Sequence, residues 1–75
     1  MKQSELTKFK NQLHKIEFNY LIDLILSEDR EKLNAKSPNF RPHDLAFKVK
    51  NFKWKLSKKQ KNALIDIYAK YIINS

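Results

Sequence analysis

The chain has no cysteine and no glycine, only two prolines, and no acidic residue between Asp44 and Asp66. Each gap excludes something. Without cysteine there is no disulfide framework and no thiolate for a zinc site, and His14 and His43 cannot build one alone. That usage fits a reducing compartment. Without glycine, the loops that cradle phosphates in nucleotide-binding folds cannot form, and two-residue hairpins lose their usual turn residue. Such a chain is most easily built from helices, with asparagine taking left-handed positions at helix ends; Asn34, Asn51 and Asn74 are expected there. Long apolar runs are also missing. The stretch from Phe18 to Leu26 is interrupted by Asn19 and Asp23 and falls well short of the ~20 residues a membrane span requires. The opening MKQSELTKFK lacks the apolar segment of a secretory signal. The expectation is a cytoplasmic protein with no membrane partner, forming one small helical domain over residues 1–75, near the size limit for a single core.

What is present is charge, unevenly placed. The net charge is +8. Residues 1–35 carry six basic and six acidic side chains, whereas residues 36–75 carry ten basic and two acidic, so the whole excess lies in the second half. Such asymmetry points to a polyanionic partner, although a chain rich in Lys, Asn and Ile can also owe its charge to genome composition. The densest part is FKVKNFKWKLSKKQK, residues 47–61, with seven lysines, three aromatics and no acid.

The apolar spacing predicts three or four helices. Ser4 is a candidate N-cap, followed by the stripe Leu6, Phe9, Leu13, Ile16, Tyr20 and Leu24. From Phe18 on, apolar residues cover several faces, as in a helix packed on more than one side. Ser27 would cap a short helix through SEDREKLNA unless the first helix simply continues. KSPNFRP, residues 36–42, reads as a loop, with Pro42 and Asp44 opening a further helix whose buried face is Leu45, Val49 and Phe52. Ser57 and Gln60 form a capping box before the last helix, whose core stripe is Leu64, Ile65, Tyr68, Tyr71 and Ile72. Between these helices the pattern alternates apolar and basic, with a phase slip at Asn51. Either a strand with a bulge or a helix ending near residue 51 with an extended segment at 52–56 fits, and the second is favoured. The fold expected is thus an all-α compact bundle with an extended or short-strand segment near 52–56.

The function expected is binding, without catalysis or cofactor. His43-Asp44 and His14 have no nucleophile at recognisable spacing, and Asp23, taken as lying on the buried side, has no carboxylate partner for acid–base work. Clustered lysines neutralise phosphates and give affinity without sequence preference. The candidate phosphate contacts are Arg41, Lys48, Lys50, Lys53, Lys55, Lys58, Lys59 and Lys61. Phe52, Trp54 and Tyr68 are candidates for base stacking, but in so short a chain at least two of Phe52, Trp54 and Leu56 are expected to be core anchors. With Arg30 and Arg41 the only arginines, bidentate base readout is disfavoured, and RNA is a better partner than a specific DNA sequence. A helix-turn-helix over residues 43–72 fits poorly, because the last helix spends its centre on the core and shows only Lys59, Asn62, Asp66 and Lys70 outward.

The run Trp54-x-Leu56-Ser57-x-x-Gln60 leading into Leu64-Ile65-Asp66-Ile67-Tyr68 resembles helix starts in small accessory proteins of phages and mobile elements. In size, basicity and lack of enzymatic motifs the chain also resembles the anti-CRISPR class, whose members inhibit RNA-guided nucleases. That class has no common motif, so no residue role is carried over. The resemblance implies a nucleoprotein such as an RNA-guided nuclease as partner, or inhibition of a defence nuclease by protein contact. A third expectation is self-association as a homodimer.

Overall fold

A computed structural model of the chain describes residues 2–74, with side chains from residue 4 onward. Among these residues there are five helices and no strand: α1 (Lys2–Lys15), α2 (Phe18–Leu26), α3 (Arg30–Lys36), α4 (Pro42–Phe52) and α5 (Lys58–Ile73). The all-α expectation holds at that level, but the helix count exceeds three or four and residues 53–57 have no regular structure. The radius of gyration of 11.6 Å is close to the ~11 Å of a compact chain of this length.

The extra helix comes from a break at Ile16–Glu17, where Glu17 is extended (φ −61°, ψ 138°). No proline or glycine causes it. The segment before the break packs on α5 and the segment after it on α4. One straight helix could not bury Leu13 against the first partner and Leu21, Ile22 and Ile25 against the second. Ser4 is not a cap, because α1 already runs from Lys2. Nor does Ser27 start a helix: its hydroxyl donates backward to the Leu24 carbonyl at 2.6 Å, closing α2. Asp29 caps α3 instead, accepting from the Lys32 amide at 3.0 Å.

α4 begins as its sequence suggests, with Pro42 in the first turn and Asp44 just inside. The cap comes from elsewhere. Arg41 makes no side-chain cap, and Asn34 Oδ1 accepts from the His43 amide at 2.9 Å, satisfying a free N-terminal donor from α3. Arg30 then ties α3 to α4 through Asp44 at 2.8 Å. Ser57 and Gln60 form the full capping box of α5, with bonds of 3.2 and 2.9 Å.

The core gathers Leu13 from α1, Leu21, Ile22 and Ile25 from α2, Leu33 from α3, Ala46 and Val49 from α4, and Leu64, Ile65, Tyr68 and Ala69 from α5. The last helix is therefore buried along its centre, and α1 covers a further flank, where Lys10 reaches Asp66 at 2.8 Å and Phe9 packs on Tyr68. Of the outward residues expected on this helix, Lys59, Asn62 and Lys70 are exposed, whereas Asp66 is half-buried and paired with Lys10.

The left-handed positions fall elsewhere than expected. Arg41 (φ 49°) and Lys53 (φ 55°) are the positive-φ residues among those described, one at each end of α4. Asn34 lies inside α3, Asn51 inside α4, and Asn74 has φ −96°. Asn51 instead turns its side-chain amide onto the Phe47 carbonyl at 2.9 Å, meeting an acceptor near the end of the helix. Lys53 then takes the strained turn, at a cost of ~1–2 kcal/mol for a residue with a Cβ.

Candidate nucleic-acid interface

Lys53 sets the geometry of the basic segment. Its left-handed backbone ends α4 sharply, and residues 53–57 lead the chain to the cap of α5. The buried positions of α4 stop at Val49, with Leu45 only half-buried. As a result the aromatic side chains of this segment lie outside the core: Phe52 is 65% exposed, Trp54 52% and Phe47 51%. The expectation that at least two of Phe52, Trp54 and Leu56 anchor the core is wrong, because only Leu56 packs partly against it. Smaller aliphatic residues from all five helices already fill the interior. Tyr68 goes the opposite way. It is 4% exposed and cannot stack on a base; burial, with Glu28 nearby, pushes its hydroxyl above the usual tyrosine range.

The candidate cations divide around α4. Arg41 and Lys48 border an open cleft of about 600 Å³ together with Phe47 and Phe52. Lys50, Lys53, Lys55 and Lys61 rim a second cleft of about 720 Å³, whose apolar lining includes Phe18, Ile22, Val49 and Leu56. Trp54 also lines the second cleft, and Lys48 Nζ sits 5.1 Å from its ring centroid, so the two clefts meet at that pair. Lys58 and Lys59 stand exposed on the first turn of α5 and border neither cleft.

Their charges are not equally free. Lys50 Nζ lies 2.6 Å from Asp23 Oδ1, and Asp23 is exposed, not on the buried side as its place in α2 suggests. Lys61 lies over the Phe18 ring at 5.4 Å. Lys53, Lys55, Lys58 and Lys59 have no carboxylate within 4.0 Å among the described residues. Arg30, missed in the sequence because it lies far from the lysine run, borders the smaller cleft but is held by Asp44. The Arg30 hydrogen bond, opposed by partial burial and aided by Asn34, keeps the Asp44 carboxyl below its ordinary range. Phe47 was also missed as a site residue. Its place next to lysines was the only signal, and it is shared by every apolar residue of the segment.

Among the described residues no group of three His, Asp or Glu side chains is placed to hold a metal ion, and no helix is long and apolar enough to cross a membrane. No protein-family model matches the chain, and no curated protein or solved structure matches it either. The functional reading therefore rests on the surface itself.

Proposed function

We propose that this is a non-enzymatic binding protein that holds nucleic acid, RNA in preference to a specific DNA sequence, or a nucleoprotein containing it. The observation that carries the reading is the set of four exposed lysines, Lys53, Lys55, Lys58 and Lys59, with no carboxylate partner among the described residues, on the α4–α5 corner. Lysine acts as a point charge toward phosphate. Of the two arginines, Arg30 is committed to its ion pair with Asp44, which leaves little for bidentate base reading.

Changing Lys53, Lys55, Lys58 and Lys59 to Glu tests this reading. Glutamates at 58 and 59 suit the positive end of α5, so the helical circular-dichroism signal is expected to persist while RNA binding is lost. Retained binding would refute the placement of the site, and no binding of RNA or DNA by the parent chain at low salt would refute the reading. Co-purification of a host protein that survives nuclease treatment would favour the rival inhibitor, acting by protein contact.

A further inference from the structure

Three of the exposed aromatics, Phe47, Phe52 and Trp54, lie beside the cations. Phe47 and Phe52 meet edge-on, with centroids 6.5 Å apart and planes at 69°. Lys48 lies beside both in the smaller cleft and reaches over Trp54 at 5.1 Å. Trp54 is flanked in the chain by Lys53 and Lys55, which rim the larger cleft. Rings and ammonium groups are therefore interleaved where the two clefts meet at Lys48 and Trp54.

A duplex can use only the cations of such a surface. Its base faces are covered by their neighbours, and only groove edges and phosphates are accessible. An unpaired strand presents faces and phosphates in alternation, and stacking on aromatic side chains tolerates any sequence. A protein partner would also bury aromatics, but lysine is depleted in protein–protein interfaces while arginine is enriched. Here the cations around Trp54 are all lysine, and of the two clefts Arg30 and Arg41 border only the one at Phe47 and Phe52. We infer that the surface is built for an unpaired nucleic-acid strand, with one base stacked on Trp54, another on Phe52, and phosphates on Lys48, Lys53 and Lys55. The inference rests on the nucleic-acid reading above and narrows it to single strands.

Two features make the seat workable. The larger cleft, about 720 Å³, lies within the ~300–1,000 Å³ range of ligand pockets and has an apolar floor for a base beside Trp54. The Lys48 ammonium now over Trp54 is exposed, and such a contact is weaker than a stacked base. Lys48 would swing from ring to phosphate as the base arrives.

Trp54 is the only tryptophan, so intrinsic fluorescence reports on the seat directly. Titration with unstructured oligouridine and oligothymidine is expected to quench it, with affinity at least about tenfold above that for a duplex of equal length; the two oligomers separate RNA from DNA strands. By anisotropy of a labelled oligomer, which needs no tryptophan, Trp54→Leu and Phe52→Leu should each weaken strand binding by about 5- to 150-fold, the value of one stacked base, and leave duplex binding unchanged. Trp54→Phe, which keeps a ring, should retain most of the affinity and shows that loss in the leucine variant is not misfolding. Equal affinity for strand and duplex, with Trp54→Leu unaffected, would overturn the stacking seat while leaving the lysine reading intact. Failure of both polymers to bind at low salt would overturn both, as would a stable dimer that buries Trp54 and ignores oligonucleotides.

Discussion

Replacing Lys53, Lys55, Lys58 and Lys59 by glutamine removes four of the seven lysines in residues 47–61 without reversing any charge. None of the four has a carboxylate partner among the described residues, so each is free to displace a counterion from a bound strand. The slope of log affinity against log salt is ~−0.7 per phosphate contact on single strands, so four contacts contribute ~−2.8. Between 50 and 200 mM salt that slope amounts to about a 50-fold loss of affinity, which the parent should show and the variant should lack. Lys50 behaves differently, because Asp23 at 2.6 Å already compensates its charge. Lys50→Gln should change the slope by less than half of what Lys53→Gln does, and Asp23→Asn should steepen it by ~0.7 by releasing Lys50. Fluorescence anisotropy of a labelled oligouridine over a potassium chloride series measures the parent and each variant. A quadruple variant with the parent's slope would refute phosphate contact by these lysines. Equal effects of Lys50→Gln and Lys53→Gln would refute the role given to Asp23.

Three further outcomes follow from the fold. Ser57→Ala breaks the capping box of α5 and should cost ~1 kcal/mol in chemical denaturation, since the Gln60 amide loses its acceptor. Lys53→Gly should stabilise the fold by ~0.5–1 kcal/mol, the left-handed strain outweighing the added freedom of the unfolded chain, yet weaken nucleic-acid binding; a loss of stability would contradict the backbone assigned to that turn. Acid should destabilise through two carboxyls. Burial raises the Asp66 carboxyl, but hydrogen bonds from Lys10 and Lys70 outweigh it, and both Asp66 and Asp44 end below their ordinary range. Their stabilisation is complete above the unfolded value of ~3.9 and is lost as pH falls through the lower folded values. Urea midpoints should therefore fall steeply below pH ~4, and less so in Asp44→Asn/Asp66→Asn.

What the sequence made legible was local. The capping box, the Pro42 start and the stripe of α5 are each written within a few residues, and each is found. The break between α1 and α2 was not readable, because it is imposed by two different packing partners and marked by no breaker residue. Ser27 and Asp29 are both good caps two residues apart, and only the Ser27–Leu24 bond decides between them. Asparagine was the reasonable choice for left-handed positions, yet the tertiary path sets those at Arg41 and Lys53. The lysine cluster was visible as a run, but its division into two clefts depends on where α4 ends.

The exposed aromatics bear most on function, and size alone argued against them. A small core gains about 25 cal/mol for each Å² of apolar surface it buries, so leaving Phe47, Phe52 and Trp54 more than half exposed forgoes stabilisation that a chain of this length can ill spare. It also creates an adhesive surface, which interleaved charges restrain as gatekeepers do. Genome composition would account for abundant lysine, but it does not account for balanced charge in residues 1–35 beside a concentrated excess in residues 36–75. Nor does it explain a strained lysine at the turn that carries Trp54 outward. Rings kept out of the core, cations beside them with no carboxylate partner among the described residues, and a backbone held in a costly turn to present both favour a binding surface over a solvated edge.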